Sequence, residues 1–183
     1  MKYFSIFILF IIASAFTLPP RNAPEYKTFY LWKADQKLKW SDFQGKSYPE
    51  MDEKAMTTSS VEYSYSATGS TFKYEVLCKF FPKLSWKQQD TELNDYMLQH
   101  EQTHFDITEL YARLMRKRLS EEVKTAKDIS KIPAIGQEIT FQWQKEQKKY
   151  DKETNHSINT DKQIEWNASI QKRLDALQAF ASV

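Results

Sequence analysis

A chain of 183 residues with 41% hydrophobic and 27% charged side chains has the profile of one ordinary globular domain, which excludes a disordered or collagen-like chain. Its three glycines, Gly45, Gly69 and Gly136, lie too far apart for a phosphate-binding loop or a dinucleotide fingerprint, so ATPase and Rossmann-type oxidoreductase classes are excluded as well. A formal net charge of +2, with lysines evenly mixed among acids, leaves no electrostatic footprint for nucleic acid, and no nucleic-acid partner is expected.

The chain opens with Lys2 ahead of an apolar run from Phe4 to Ile12, and Ala13-Ser14-Ala15 supplies the small residues that a signal peptidase accepts. This predicts an export signal over residues 1–15 and a single domain over 16–183. The apolar run is shorter than the roughly 20 residues of a spanning helix, so no stable membrane anchor is expected after cleavage. A secreted or periplasmic location follows. Cys78 is the one cysteine, which rules out an internal disulfide, a Cys/Cys metal site and a redox pair.

Within the domain a β-rich front half precedes a helical back half. Leu38 to Phe43 can add a strand. From Val61 to Ser66 the residues alternate, with Val61, Tyr63 and Tyr65 on one face, the period of a half-buried strand. A second run from Thr71 to Phe81 carries Phe72, Tyr74, Val76, Cys78 and Phe80 on one face, and the Ala67 to Ser70 link joins the two as a hairpin. Cys78 falls on the apolar side and is expected to fill core. Pro82, unable to donate to a ladder, ends the sheet region.

Helical spacing then takes over. Leu93, Met97, His100, His104, Ile107, Tyr111 and Leu114 recur at intervals of three and four, which predicts a helix from about Asp90 to Leu119. Asp90 suits its N-cap, and Arg113, Arg116, Lys117 and Arg118 suit the negative end of its dipole. Lys127 to Gly136, with Pro133, reads as a loop, and Gln137 to Tyr150 as a second helix. The polar stretch Tyr150 to Ser157 reads as a connector. A third helix starts behind Thr160, where Thr160 and Gln163 have capping-box spacing, and Trp166, Ile170, Leu174 and Leu177 form its apolar stripe.

The chemistry lies in His100-Glu101-Gln102-Thr103-His104, an H-E-x-x-H run inside the best-patterned helix. Residues four apart differ by about 40° around a helix, so both imidazoles stand on one side and reach one zinc ion at about 2.1 Å. Glu101 points about 100° away from His100. It is placed to take a proton from a water on the metal and hand it to a leaving amine, rather than to ligate. The structural alternative is two histidines packed on an apolar stripe beside a solvent-facing glutamate. Buried imidazoles need partners, however, and a metal supplies them.

A catalytic zinc needs a third protein ligand and an open position. Ile107 and Leu110 stand where a metzincin has its glycine and third histidine, and no E-x-x-x-D pair exists to supply a glutamate. His156, the one remaining histidine, is the expected third ligand; Asp151, Glu153 and Asp106 are the alternatives. Asp106 can otherwise orient a liganding imidazole, and Tyr150 or Tyr111 can donate to an oxyanion.

The stretches LKWSDFQGK (Leu38 to Lys46), LSW (Leu84 to Trp86), LQHEQTHFDITELYARLMRKRL (Leu98 to Leu119) and YDKETNHS (Tyr150 to Ser157), followed by Gln163 and Trp166, resemble the bacterial domain-of-unknown-function family 922. That family is predicted to comprise secreted zinc-dependent proteases. The resemblance runs from about Leu38 to Leu174 and implies His100, Glu101, His104 and His156 as the site; Ser157 stands where members often have glycine.

The expectation is an α+β, zincin-like domain: a small, mostly antiparallel sheet packed on the H-E-x-x-H helix, closed by further C-terminal helices. Zinc is the expected cofactor and a peptide or protein the substrate, lying extended, along an edge strand of the hairpin. Two other classes compete. One is a non-catalytic, zinc-stabilised binding or scaffold protein of the cell envelope, in which a fourth protein ligand such as Asp151 or Glu153 closes the site. The other is an envelope interaction protein without metal.

Overall fold

The structure is a computed structural model and describes residues 28–48, 50–89 and 92–182. The expected signal segment, residues 1–15, and Asp90 lie outside the described residues. Ten-residue strands β3 (Ser59–Thr68) and β4 (Thr71–Phe80) form the hairpin. Their register pairs Thr68 with Thr71, so the link is two residues rather than four, and Gly69 supplies its positive φ of 61°. A short β1 (Tyr30–Leu31) pairs with the other edge of β4, giving the antiparallel order β1-β4-β3. A separate antiparallel pair joins β2 (Ala55–Met56) to β5 (Trp86–Lys87), so strand pairing resumes beyond Pro82.

Leu38 to Phe43 is not a strand. The Lys39 amide donates to Asp42 Oδ2 at 2.7 Å and the Asp42 amide to the Lys39 carbonyl at 2.9 Å, winding Trp40–Asp42 into one tight turn. A local side-chain acceptor here competes with the ladder and wins. On β4, Val76, Cys78 and Phe80 are buried as expected, with Phe80 against Phe105, and burial pushes the Cys78 thiol well above its ordinary pKa, so it fills core. On β3, Tyr63 and Tyr65 are exposed although they share the alternation with Val61. The burial pattern shows why: only the first part of β3 is covered.

The central element is α1 (Asp95–Glu122), packed on β3 and β4 and on the two helices that follow. Its N-cap is Asn94, which accepts from the Met97 amide at 2.9 Å, and it runs three residues past Leu119. Arg113 and Arg116 do not serve the helix end; both turn inward onto Glu109. Helix α2 (Ile132–Thr154) starts earlier than expected because Pro133 falls in its first turn, where no amide hydrogen is needed. Gly136 therefore lies inside this helix, and a Cβ there would meet the Tyr63 ring at 2.5 Å. The same helix runs past Tyr150, so Asp151 and Glu153 stand on its last turn rather than in a connector.

Asn155, His156 and Ser157 end α2 with φ of 47°, 51° and 71°, three consecutive left-handed residues. The His156 amide donates to the Asp151 carbonyl at 3.1 Å. Helix α3 (Thr160–Ala176) is capped by Asn159, which leaves Gln163 free of the expected capping box; Trp166, Ile170 and Leu174 form its buried stripe. No helix among the described residues is long and apolar enough to cross a membrane.

Glu146 of α2 clasps all three helices. Its carboxylate accepts from Tyr111 of α1 at 2.5 Å and from both terminal nitrogens of Arg173 of α3. Burial alone would raise its pKa, but the Arg173 and Tyr111 hydrogen bonds hold it below the ordinary glutamate value. A carboxyl with a lowered folded-state pKa stabilises the fold above its unfolded pKa and loses that contribution as pH falls through the folded value. Glu146→Gln is therefore expected to unfold at lower denaturant than wild type at neutral pH, the gap closing in acid; urea titrations across pH check this.

Candidate metal centre

The H-E-x-x-H turn of α1 projects both imidazoles toward α2. His100 Nε2 and His104 Nε2 lie 3.3 Å apart. Asp151 Oδ1 lies 2.8 Å from His104 Nε2 and 3.4 Å from His100 Nε2, and the three side chains form a group able to hold a metal ion. Ligands at about 2.1 Å on a tetrahedral cation stand about 3.4 Å from one another. Two of the three separations match that edge, and the third is a hydrogen bond. Burial pulls the His104 pKa down, but the hydrogen bond and charge of Asp151, with the charge of Glu101, lift it to about 9. Burial likewise opposes the Asp151 charge, and hydrogen bonds from His100 and His104 overcome it and hold the carboxyl far below its ordinary range. The pocket is built to stabilise positive charge.

Each ring is held from behind. His100 Nδ1 lies 3.1 Å from Gln163 Oε1, and His104 Nδ1 lies 2.6 Å from Gln147 Oε1. The fully buried Tyr150 ring stacks on His100 at 4.7 Å and 20° and meets His104 edge-on at 4.9 Å. Its hydroxyl points at the His100 carbonyl, 3.5 Å away. Tyr111 donates to Glu146, so the hydroxyls of both expected oxyanion donors are turned to other partners.

A cavity of about 1070 Å³ opens over this group, bordered by Met56, Tyr96, Glu101, Trp143 and His156. Glu101 is 6% exposed, and its Oε2 is buried without a hydrogen-bond partner among the described residues. Leaving a buried acceptor unpaired costs about 1–3 kcal/mol, more for a charged group. The Thr57 hydroxyl donates to the Glu101 carbonyl at 3.1 Å and ties the β2–β3 link to this helical turn.

The other candidates sit elsewhere. His156 is exposed on the left-handed turn; it borders the cavity but is not one of the three side chains that converge. Glu153 accepts from the Trp166 indole at 2.8 Å. Asp106 faces away from the histidines and accepts from the Trp32 indole at 2.7 Å and from Gln102 at 2.8 Å. Of the three acidic alternatives, Asp151 is the one brought to His100 and His104. Gln147 was not legible as a site residue: its signal, a position four before Asp151, appears only once α2 is carried past Tyr150.

The fold and site define an α+β protein whose central helix contributes two histidines, and the following helix one aspartate, to a group that can hold a metal ion. Residues 40–157 match the family described as "Bacterial protein of unknown function (DUF922)", and the chain belongs to that family. The match spans His100, Glu101, His104, Gln147 and Asp151 and stops short of Gln163. No curated protein and no solved structure matches the chain.

Proposed function

We propose that this protein is an exported zinc-dependent peptidase, with His100, His104 and Asp151 as the metal ligands and Glu101 as the general base. The observation that carries the reading is the buried, unpartnered Glu101 carboxylate oxygen beside three converging donor atoms. When bound, zinc supplies Lewis-acid polarisation of a scissile carbonyl and brings the pKa of water toward about 7. Glu101 takes the proton of the attacking water and passes it to the leaving amine. Because Ala55 to Ser59 border the cavity, an extended peptide lies along β2 and the start of β3 rather than on the outer hairpin.

Two imidazoles and a carboxylate also suit non-haem iron. An oxygenase has no need of a buried base at this place, so the free Glu101 oxygen favours hydrolysis. It weighs equally against a purely structural zinc, which is four-coordinate and closed; Glu153, a candidate for closing the site, is engaged by Trp166. The test is hydrolysis of fluorescently labelled casein by the zinc-loaded chain. Phenanthroline is expected to stop it and added zinc to restore it. Hydrolysis that persists in chelator, or none at stoichiometric zinc, contradicts the proposal.

A further inference from the structure

Two glutamines on different helices contact the two candidate ligand imidazoles from behind, and their amides can be oriented without ambiguity. Gln163 Nε2 donates to the Tyr96 carbonyl at 3.0 Å. Gln147 Nε2 donates to the His104 carbonyl at 2.9 Å and to Thr108 Oγ1 at 3.1 Å. A carbonyl oxygen only accepts, so in both residues the NH₂ end is fixed on the backbone and Oε1 is left facing the ring. An amide oxygen likewise only accepts. The ring nitrogen facing it must therefore carry the hydrogen, and in both histidines that nitrogen is Nδ1.

We infer that Gln147 and Gln163 are positioning residues that lock His104 and His100 in the Nδ1–H form and aim both Nε2 lone pairs at one point. The consequence follows from the distances. With Nδ1 protonated, both Nε2 atoms and the Asp151 carboxylate face one another within 3.4 Å, and the hydrogen between them is the one that His104 Nε2 shares with Asp151 at 2.8 Å. Once that proton leaves, the set is three acceptors, repulsive until a cation takes its place. The glutamines thus convert two rings on one helix into a site that demands positive charge. A partner behind a liganding imidazole fixes both its tautomer and its ring angle, and losing that partner typically weakens metal binding about 10–100-fold.

The placement also makes the site a product of helix packing. Both rings come from α1, Asp151 and Gln147 from successive turns of α2, and Gln163 from the first turns of α3. Gln163 is fully buried, so its oxygen has no solvent alternative. The neutral amide is chemically distinct from a carboxylate at the same place, which would draw the Nδ1 proton toward itself and make the ring a stronger donor.

The inference rests on the metal reading above for its consequence, while the tautomers can be read directly. Long-range ¹H–¹⁵N correlation of the histidine rings suits a chain with three histidines, His156 serving as the unconstrained reference. In the zinc-loaded full chain, Nδ1 of His100 and His104 is expected to be protonated and Nε2 metal-bound; in the zinc-free chain at alkaline pH the same Nδ1–H form is expected. Gln147→Leu is expected to weaken zinc binding about 10–100-fold in competition with a chromophoric chelator. Metal on Nδ1, an Nε2–H form in either ring, or wild-type zinc affinity in Gln147→Leu overturns the inference and leaves the metal reading standing. Nδ1–H rings in a chain that takes up no zinc support the positioning role and sink the metal reading instead.

Discussion

Glu101→Ala is expected to retain one zinc per chain and to lose about 10²–10⁴-fold in peptide hydrolysis, the range that a positioned general base contributes. Glu101 is not one of the three converging side chains, so its removal leaves the Nε2 and Oδ1 donors in place. The contact that secures this turn to the β2–β3 link uses the Glu101 backbone carbonyl, which alanine keeps. The fold gains slightly, since a buried oxygen without a partner is removed with the side chain. The signature is therefore a split: zinc content unchanged, melting temperature equal or higher, hydrolysis gone. Zinc lost together with activity would make Glu101 a structural part of the metal group, and hydrolysis that survives would remove it from the reaction.

The second large effect belongs to stability. Glu109 is fully buried in α1 and its Oε1 accepts from Arg113 at 2.9 Å and Arg116 at 3.0 Å. Arg113 continues to the Leu174 carbonyl of α3 at 2.7 Å, and Arg116 to the Val76 carbonyl of β4 at 3.1 Å and the Phe180 carbonyl at 3.0 Å. One carboxylate is thus shared by two guanidinium groups that tie the central helix to a strand on one side and to the C-terminal helix on the other. Glu109→Ala leaves both charges without their anion, and breaking a buried ion pair from one side costs about 3–5 kcal/mol. Equilibrium urea unfolding is expected to show a loss of that size. A change under about 1 kcal/mol would mean that the guanidinium groups are satisfied by their carbonyls alone.

What the sequence disclosed, and what it hid, divides along physical lines. The α1 stripe and the alternation on β4 were legible because the buried positions keep the period: His100, Ile107 and Tyr111 on α1, and Val76, Cys78 and Phe80 on β4. Tyr63 and Tyr65 misled because alternation records that two faces differ, not that one is covered, and the far part of β3 is not. Leu38 to Phe43 misled because Asp42 captures the Lys39 amide, a contact invisible to periodicity. At the site, His100, Glu101 and His104 were legible from spacing alone. Asp151 stood only among the alternatives, since the polar run from Tyr150 hid the last turn of α2: its outward residues are charged, and the inward ones, Tyr150, Asp151 and Thr154, serve the site or the core. Gln147 and Gln163 hold the rings through tertiary contacts between helices, which no local pattern reports.

The three left-handed residues 155–157 bear on His156. Its amide is bonded to the Asp151 carbonyl, so the turn is anchored on a proposed ligand while its imidazole remains exposed at the cavity edge. Strained non-glycine backbone of this kind costs about 1–3 kcal/mol per residue and gathers at functional sites. His156→Ala is accordingly expected to spare the metal, whereas any change at Asp151 is not.

That contrast supplies the most direct test. Isothermal titration of the EDTA-treated full chain with zinc is expected to give one tight site per chain in wild type and in His156→Ala, and at least a 100-fold weaker one, of the order expected when a ligand rather than its supporting partner is removed, in Asp151→Ala. Undiminished zinc binding by Asp151→Ala, with binding abolished in His156→Ala, would contradict the account.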